Sequence, residues 1–196
     1  MKRSEHTRDF IIEAAAPIFN KYGYAGTSIA DVLEYTVFTK GAIYHYFENK
    51  DELALAALEY NLSIVSEKMF SATNDTKHSC DKLAVFSEAF KNNYHLMKEM
   101  GGCPIMNAAV DSDDSNELIR NRISQFIKLW KKSLKSIIEN GKFKNEIRPD
   151  VDTDSFSTNF ISLIEGSLAM SKVIDDRKFL DNAVRLIKSL IEEIRI

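Results

Sequence analysis

Residues 27–53 read TSIADVLEYTVFTKGAIYHYFENKDEL, and this stretch decides the fold: two short helices joined by a tight turn, followed by the opening of a third. Thr27 or Ser28 can cap the first helix, because a side-chain oxygen there accepts a backbone N–H that has no partner within the helix. Ile29, Ala30, Val32 and Leu33 lay an apolar stripe along it at helical spacing. The pattern breaks over residues 36–38 and restarts at Thr39, another good cap residue. In the second helix, residues 40 to about 47, Ile43 and Phe47 stand four apart and face a core. Lys40, Gly41, Ala42, Tyr44, His45 and Tyr46 occupy the rest of the circumference.

A helix needed only for stability would not place two tyrosines, a histidine and small residues outward. That face suits a DNA groove. Gly41 and Ala42 let the backbone come close, and Lys40 at the helix start meets base edges or phosphate. Phenol and imidazole groups donate to phosphate oxygens, which fixes register without reading sequence. The layout is that of a helix-turn-helix whose second helix enters the major groove with its N-terminal residues foremost. The plainer alternative is a small helical hairpin with half-buried aromatics.

KGAIYHYFENKDEL, preceded by FNKYGYAGTSIADVLEYT, closely resembles the DNA-binding domain of the TetR family of bacterial transcriptional regulators. The resemblance implies an all-α protein of about nine helices. Residues 1–50 would form the helix-turn-helix domain, with its reading helix at about 39–47, and residues 51–196 a helical ligand-binding and dimerisation domain. It places phosphate contacts on Thr27 or Ser28, Thr39, Tyr44, Tyr46 and Lys50, and base-reading positions on Lys40, Gly41, Ala42 and His45. Phe47 matches a core position. Two departures stand out. Val37 occupies the turn position where the family commonly has glycine, and a β-branched residue tolerates positive φ poorly, so a different backbone path is expected. Phe38 replaces a smaller apolar residue and either plugs the hairpin or reaches toward DNA, the core position being the favoured reading.

Composition sets the class. The 196 residues are 44% hydrophobic and 28% charged, the balance of an ordinary globular protein, and three prolines and seven glycines favour helices throughout. No apolar run approaches the roughly 18 residues of a membrane span, and MKRSEHTRDF lacks the apolar stretch of a signal peptide. Two cysteines, Cys80 and Cys103, make no disulfide framework and no metal spacing, which fits a reducing cytoplasm. Net charge, −3, gives no support to DNA binding. Positive charge must therefore be local, at Lys40, Lys50 and the arm Lys2–Arg3.

Along the chain, Thr7 is expected to cap a first helix to about Tyr22, bent at Pro17. Asn49 caps a long helix over about 50–73, with Asp51 and Glu52 at its positive end, reaching from the DNA reader into the second domain. Helices follow at about 80–100, after the glycine–proline break at 101–104, at about 116–140 ending at Gly141, from a cap at Asp152 or Asp154 to about 174, and at about 178–194. Asp111, Asp113 and Asp114 alternate like calcium ligands, yet no glycine turn or distal glutamate follows, so a solvated loop is expected.

For the second domain, Phe86, Phe90, Tyr94, Met97, Met106, Phe126, Trp130 and Phe160 offer adaptable apolar lining for a small-molecule effector, with Tyr94, Asn107 and Glu165 as polar groups. That a pocket exists at all is implied by the resemblance. So is a dimer through the last two helices, for which Phe156, Leu163, Leu168, Val184, Ile187 and Ile191 are the expected contacts. Two reading helices about 34–36 Å apart would match a palindromic double-stranded operator. No cofactor or metal is expected: the histidines at 6, 45, 78 and 95 have no ligand spacing, and no G-x-S-x-G or P-loop is present. An unrecognised enzyme or a helical protein adaptor are the rival classes, and salt-dependent binding to a palindromic duplex separates them from a regulator.

Overall fold

The computed structural model describes residues 2–112 and 114–196, with side chains from residue 6 onward. The side chains of Lys2 and Arg3, and Asp113, lie outside the described residues. Every regular element among those described is a helix: α1 (Lys2–Tyr22), α2 (Ile29–Glu34), α3 (Lys40–Tyr46), α4 (Lys50–Ser71), α5 (Ser79–Asn92), α6 (Tyr94–Glu99), α7 (Pro104–Ser112), α8 (Glu117–Phe143), α9 (Thr153–Ile174) and α10 (Lys178–Ile194). None is long and apolar enough to cross a membrane.

Contacts divide the chain into two compact units, Met1–Val65 with Glu99–Ile123, and Ser66–Lys98 with Ser124–Ile196. In the first, Ile11, Ala15 and Phe19 of α1, Val32 of α2, Ile43 of α3 and Leu53, Ala57 and Leu58 of α4 are fully buried, as 3–4-residue spacing requires. Buried amides knit α1 to the turn before α7. Asn20 Nδ2 donates to the Met100 and Gly102 carbonyls at 2.6 and 3.0 Å, and Asn107 Nδ2 donates to the Asn20 carbonyl at 2.9 Å. Burial pushes the Tyr24 phenol up to about 12, against a bond from Asn61 Nδ2 at 3.3 Å.

In the second unit α10 packs on α5 and α9, burying Leu83, Phe86, Ile164, Leu180, Val184, Ile187 and Ile191. The chain end is pinned to the α8–α9 loop: Arg148 N–H donates to Ile194 O at 2.9 Å and Ile196 N–H to Glu146 O at 3.3 Å.

Several boundaries differ from the periodicity. α1 already runs from Lys2, so Thr7 lies within it instead of capping it, and Pro17 sits on its exposed side. The single helix expected over 80–100 breaks at Asn93, whose backbone N–H and side-chain amide both donate to the Ala89 carbonyl, at 3.0 and 2.8 Å. α8 continues through Gly141 instead of stopping there. The glycine serves packing, since a Cβ would come within 2.8 Å of Ile147 Cγ1 and of Ser79 Cβ.

Candidate nucleic-acid interface

Each helix of the hairpin is started by one side chain. Ser28 Oγ accepts the Asp31 N–H at 3.2 Å, while the Asp31 carboxylate accepts Ser28 N–H and O–H at 2.7 Å each, which closes a capping box and holds that carboxyl below its usual range. Thr27, expected to contact phosphate or cap α2, does neither with its side chain. It is buried and its hydroxyl donates to Gly23 O at 2.6 Å. Thr39 Oγ1 accepts the Ala42 N–H at 3.2 Å and starts α3.

Between them the chain turns without positive φ at Val37, which is 90% exposed, in keeping with the altered path expected of a β-branched residue. Phe38 is half-buried and meets the Phe10 ring edge-on, centroids 5.8 Å apart. α3 then presents two different sides. Ile43, with Phe47 just beyond the helix, is buried, whereas Thr39, Lys40, Gly41, Tyr44 and His45 are exposed and Ala42 and Tyr46 half-buried. Lys40 Nζ lies 5.8 Å from the Tyr44 ring centroid, and His45 meets the Tyr46 ring edge-on at 4.7 Å. A Cβ built on Gly41 has nothing within 4 Å. No acid lies in the first turn of α3, so the positive end of its dipole is uncompensated by carboxylate within the helix.

Lys50 departs from the role assigned to it. Its ammonium donates to Tyr24 O at 3.1 Å and Ala25 O at 2.9 Å, so two of its three protons are committed within the subunit. The N–H groups of the same two residues donate to Asp111 Oδ2, at 2.6 and 2.8 Å. The joint between α1 and α2 is thus held by a cation from α4 on its carbonyls and an anion from α7 on its amides. Asp111 was expected in a solvated loop, and spacing gave no hint of its role, because the partners lie 86 and 87 residues away.

The family model for bacterial regulatory proteins of the tetR family matches residues 11–57, and that for the tetracyclin repressor-like C-terminal domain matches residues 79–187. A TetR transcriptional regulator from Chloroflexus aurantiacus superposes with a TM-score of 0.95 at 33% identity, each chain covered over 100%. An uncharacterised HTH-type transcriptional regulator of Lactococcus lactis subsp. lactis is 28% identical over 192 residues, 96% of this chain and 95% of that one. The HTH-type transcriptional repressor DhaR of a Mycobacterium species is 22% identical over 180 residues, 92% and 89% of the two chains. The chain belongs to the TetR family. It is a helix-turn-helix DNA-binding transcriptional regulator, and α2 and α3 are its hairpin.

In this TetR-family chain most of the expected effector lining is packed solid. Phe86, Phe90, Trp130 and Phe160 are each at most 4% exposed, and their rings lie 5.4–6.2 Å apart, with Phe90 stacked on Trp130. Met97 and Glu165 are buried, Phe126 is half-buried, and the Tyr94 hydroxyl donates to Ser171 O at 3.1 Å. Met106 and Asn107 belong to the other compact unit, where the Asn107 amide is engaged with Asn20 and Gly101. An open groove of about 330 Å³ in the second unit shares Phe160 with that lining; it is floored also by Phe156, Leu163, Ile187 and Leu190 and rimmed by Arg148, Asp150 and Glu193.

Of the residues expected at the dimer contact, Leu168, Val184, Ile187 and Ile191 are 0–4% exposed within the single chain. Phe156 and Leu163 are half-buried. The apolar surface that α9 and α10 do present comes from Met170, Val173, Ile174, Phe179 and Leu186, each 41–79% exposed.

Proposed function

We propose that this regulator is a ligand-responsive repressor that binds a palindromic operator as a homodimer, the N-terminal half of α3 from each subunit entering the major groove. One observation carries the reading: Gly41 sits within a helix, and a Cβ there would meet nothing within 4 Å among the described residues, so no packing contact calls for glycine. Glycine costs a helix stability, and close approach of a ligand's surface to the backbone accounts for keeping it. Around it Lys40, Ala42 and His45 are in reach of base edges, while Thr39, Tyr44 and Tyr46 supply phosphate donors. The name of the Mycobacterium relative, a repressor, supports the sign of the regulation.

The outward apolar stripe of α9 and α10 supports the dimer, with Leu163, Gly166, Met170 and Val173 following one another at four- and three-residue steps along α9. A small apolar or aromatic effector would enter the second unit by displacing packed rings around Trp130, and it need only bind the two conformers unequally to release DNA. α4, which contributes residues to both compact units, is the element through which that difference would travel.

The test is selection of duplexes from a random pool by the full-length protein, then titration of the recovered sequence. Lys40→Ala and Tyr44→Ala should weaken binding at least tenfold, which is about 1.4 kcal/mol, with unchanged melting. Recovery of no common sequence, or equal affinity in both variants, would overturn the proposal.

A further inference from the structure

We infer that Arg8, on α1, is a phosphate-binding residue that flanks the carboxy end of the reading helix. The inference rests on the proposed operator binding. Lys50, the cation expected beyond α3, has two of its three protons on the Tyr24 and Ala25 carbonyls, which leaves one for a phosphate. Arg8 adds a second cation at that end. Its guanidinium carbon lies 4.9 Å from the centroid of the Phe47 ring, and Phe47 is the residue that closes α3. The side chain is half-buried, and among the described residues no carboxylate lies within 4.0 Å to neutralise it.

The mode of contact leaves the chemistry available. A guanidinium held over the face of an aromatic ring keeps its five in-plane N–H donors for other partners. The ring itself is 1% exposed and belongs to the core. Phosphate is recognised bidentately by the guanidinium edge. Lys40 at the start of α3 and Arg8 at its end would then bracket the reading helix with one cation each, in a chain whose net charge of −3 supplies no general attraction. Arg8 would fix register and affinity and carry no base preference.

The probe is the palindromic duplex recovered by selection with wild-type protein, with a scrambled duplex of equal length beside it. Arg8→Gln should lower the slope of log affinity against log salt by about 1 per subunit, weaken both duplexes by a similar factor and leave base preference unchanged. Arg8→Lys should keep the slope. An unchanged slope in Arg8→Gln overturns the inference, as does a change in base preference without a change in slope. Should Arg8→Gln fail to fold, wild type and Arg8→Lys are titrated on duplexes with single methylphosphonate substitutions. One neutralised phosphate that weakens both proteins and abolishes one unit of slope supports the contact; none doing so overturns it. Failure of wild type to select any duplex sinks the operator reading instead, which keeps the two failures apart.

Discussion

Gly41 and Gly141 both lie inside helices, and their surroundings give opposite expectations for the same change. At Gly41 an added methyl meets nothing within 4 Å, so Gly41→Ala should raise helix stability by up to about 1 kcal/mol while weakening duplex binding. Thermal melts and duplex titration on one sample read both signs. At Gly141 the methyl would run into Ile147 and Ser79, so Gly141→Ala should cost about 1–3 kcal/mol despite better helix propensity, as denaturant titration would read. Tyr24 gives a pH-dependent counterpart. Its folded pKa, about 12, lies above the ordinary phenol value of 10, so the neutral buried form stabilises the fold fully below pH 10. That contribution, roughly 2–3 kcal/mol, is lost as pH rises from 10 through 12. Tyr24→Phe should flatten the alkaline fall in melting temperature, and an identical fall in both proteins would exclude this phenol as its source.

At the scale of single elements, Trp130 ties α8 to α5 through its stack on Phe90. Trp130→Ala should cost about 3–5 kcal/mol through the cavity it leaves. Trp130→Phe should cost far less, because the buried indole N–H has no hydrogen-bond partner among the described residues and none is lost with it. Calorimetry on the two variants separates ring volume from polar contact. Elements whose limits are set by their own side chains were legible in the residues. Thr39, Asn49 and Asp152 cap α3, α4 and α9 as their types suggest, and α10 runs over the residues its apolar spacing marks. The break between α5 and α6 was not legible, since Asn93, where it falls, is neither glycine nor proline. Nor was the role of Lys50, whose partners are carbonyls that no residue pattern announces.

For the molecule as a whole, the proposed pairing of subunits turns on which side of α9 and α10 faces inward. Apolar residues line both sides of these helices, so periodicity alone marks a seam without saying which half meets the chain's own core. Burial resolves it: Val184 and Ile187 point in, Val173 and Leu186 out. A Val173→Glu, Leu186→Glu double variant should therefore sediment as a monomer with an ordinary melting curve and lose operator affinity. Val184→Glu should unfold the subunit, by burying an unpaired charge. A double variant that remains dimeric would move the interface elsewhere.

The clamp on Tyr24 and Ala25 bears on how such regulators can be recombined. A hybrid cut at 50/51 would carry the two peptide units and Lys50 to a new host and leave Asp111 behind, keeping only the cationic half of the clamp. Transplanted binding heads should behave as modules only when residues 99–123 travel with them, and a foreign body supplying an aspartate at the matching place should rescue the shorter graft.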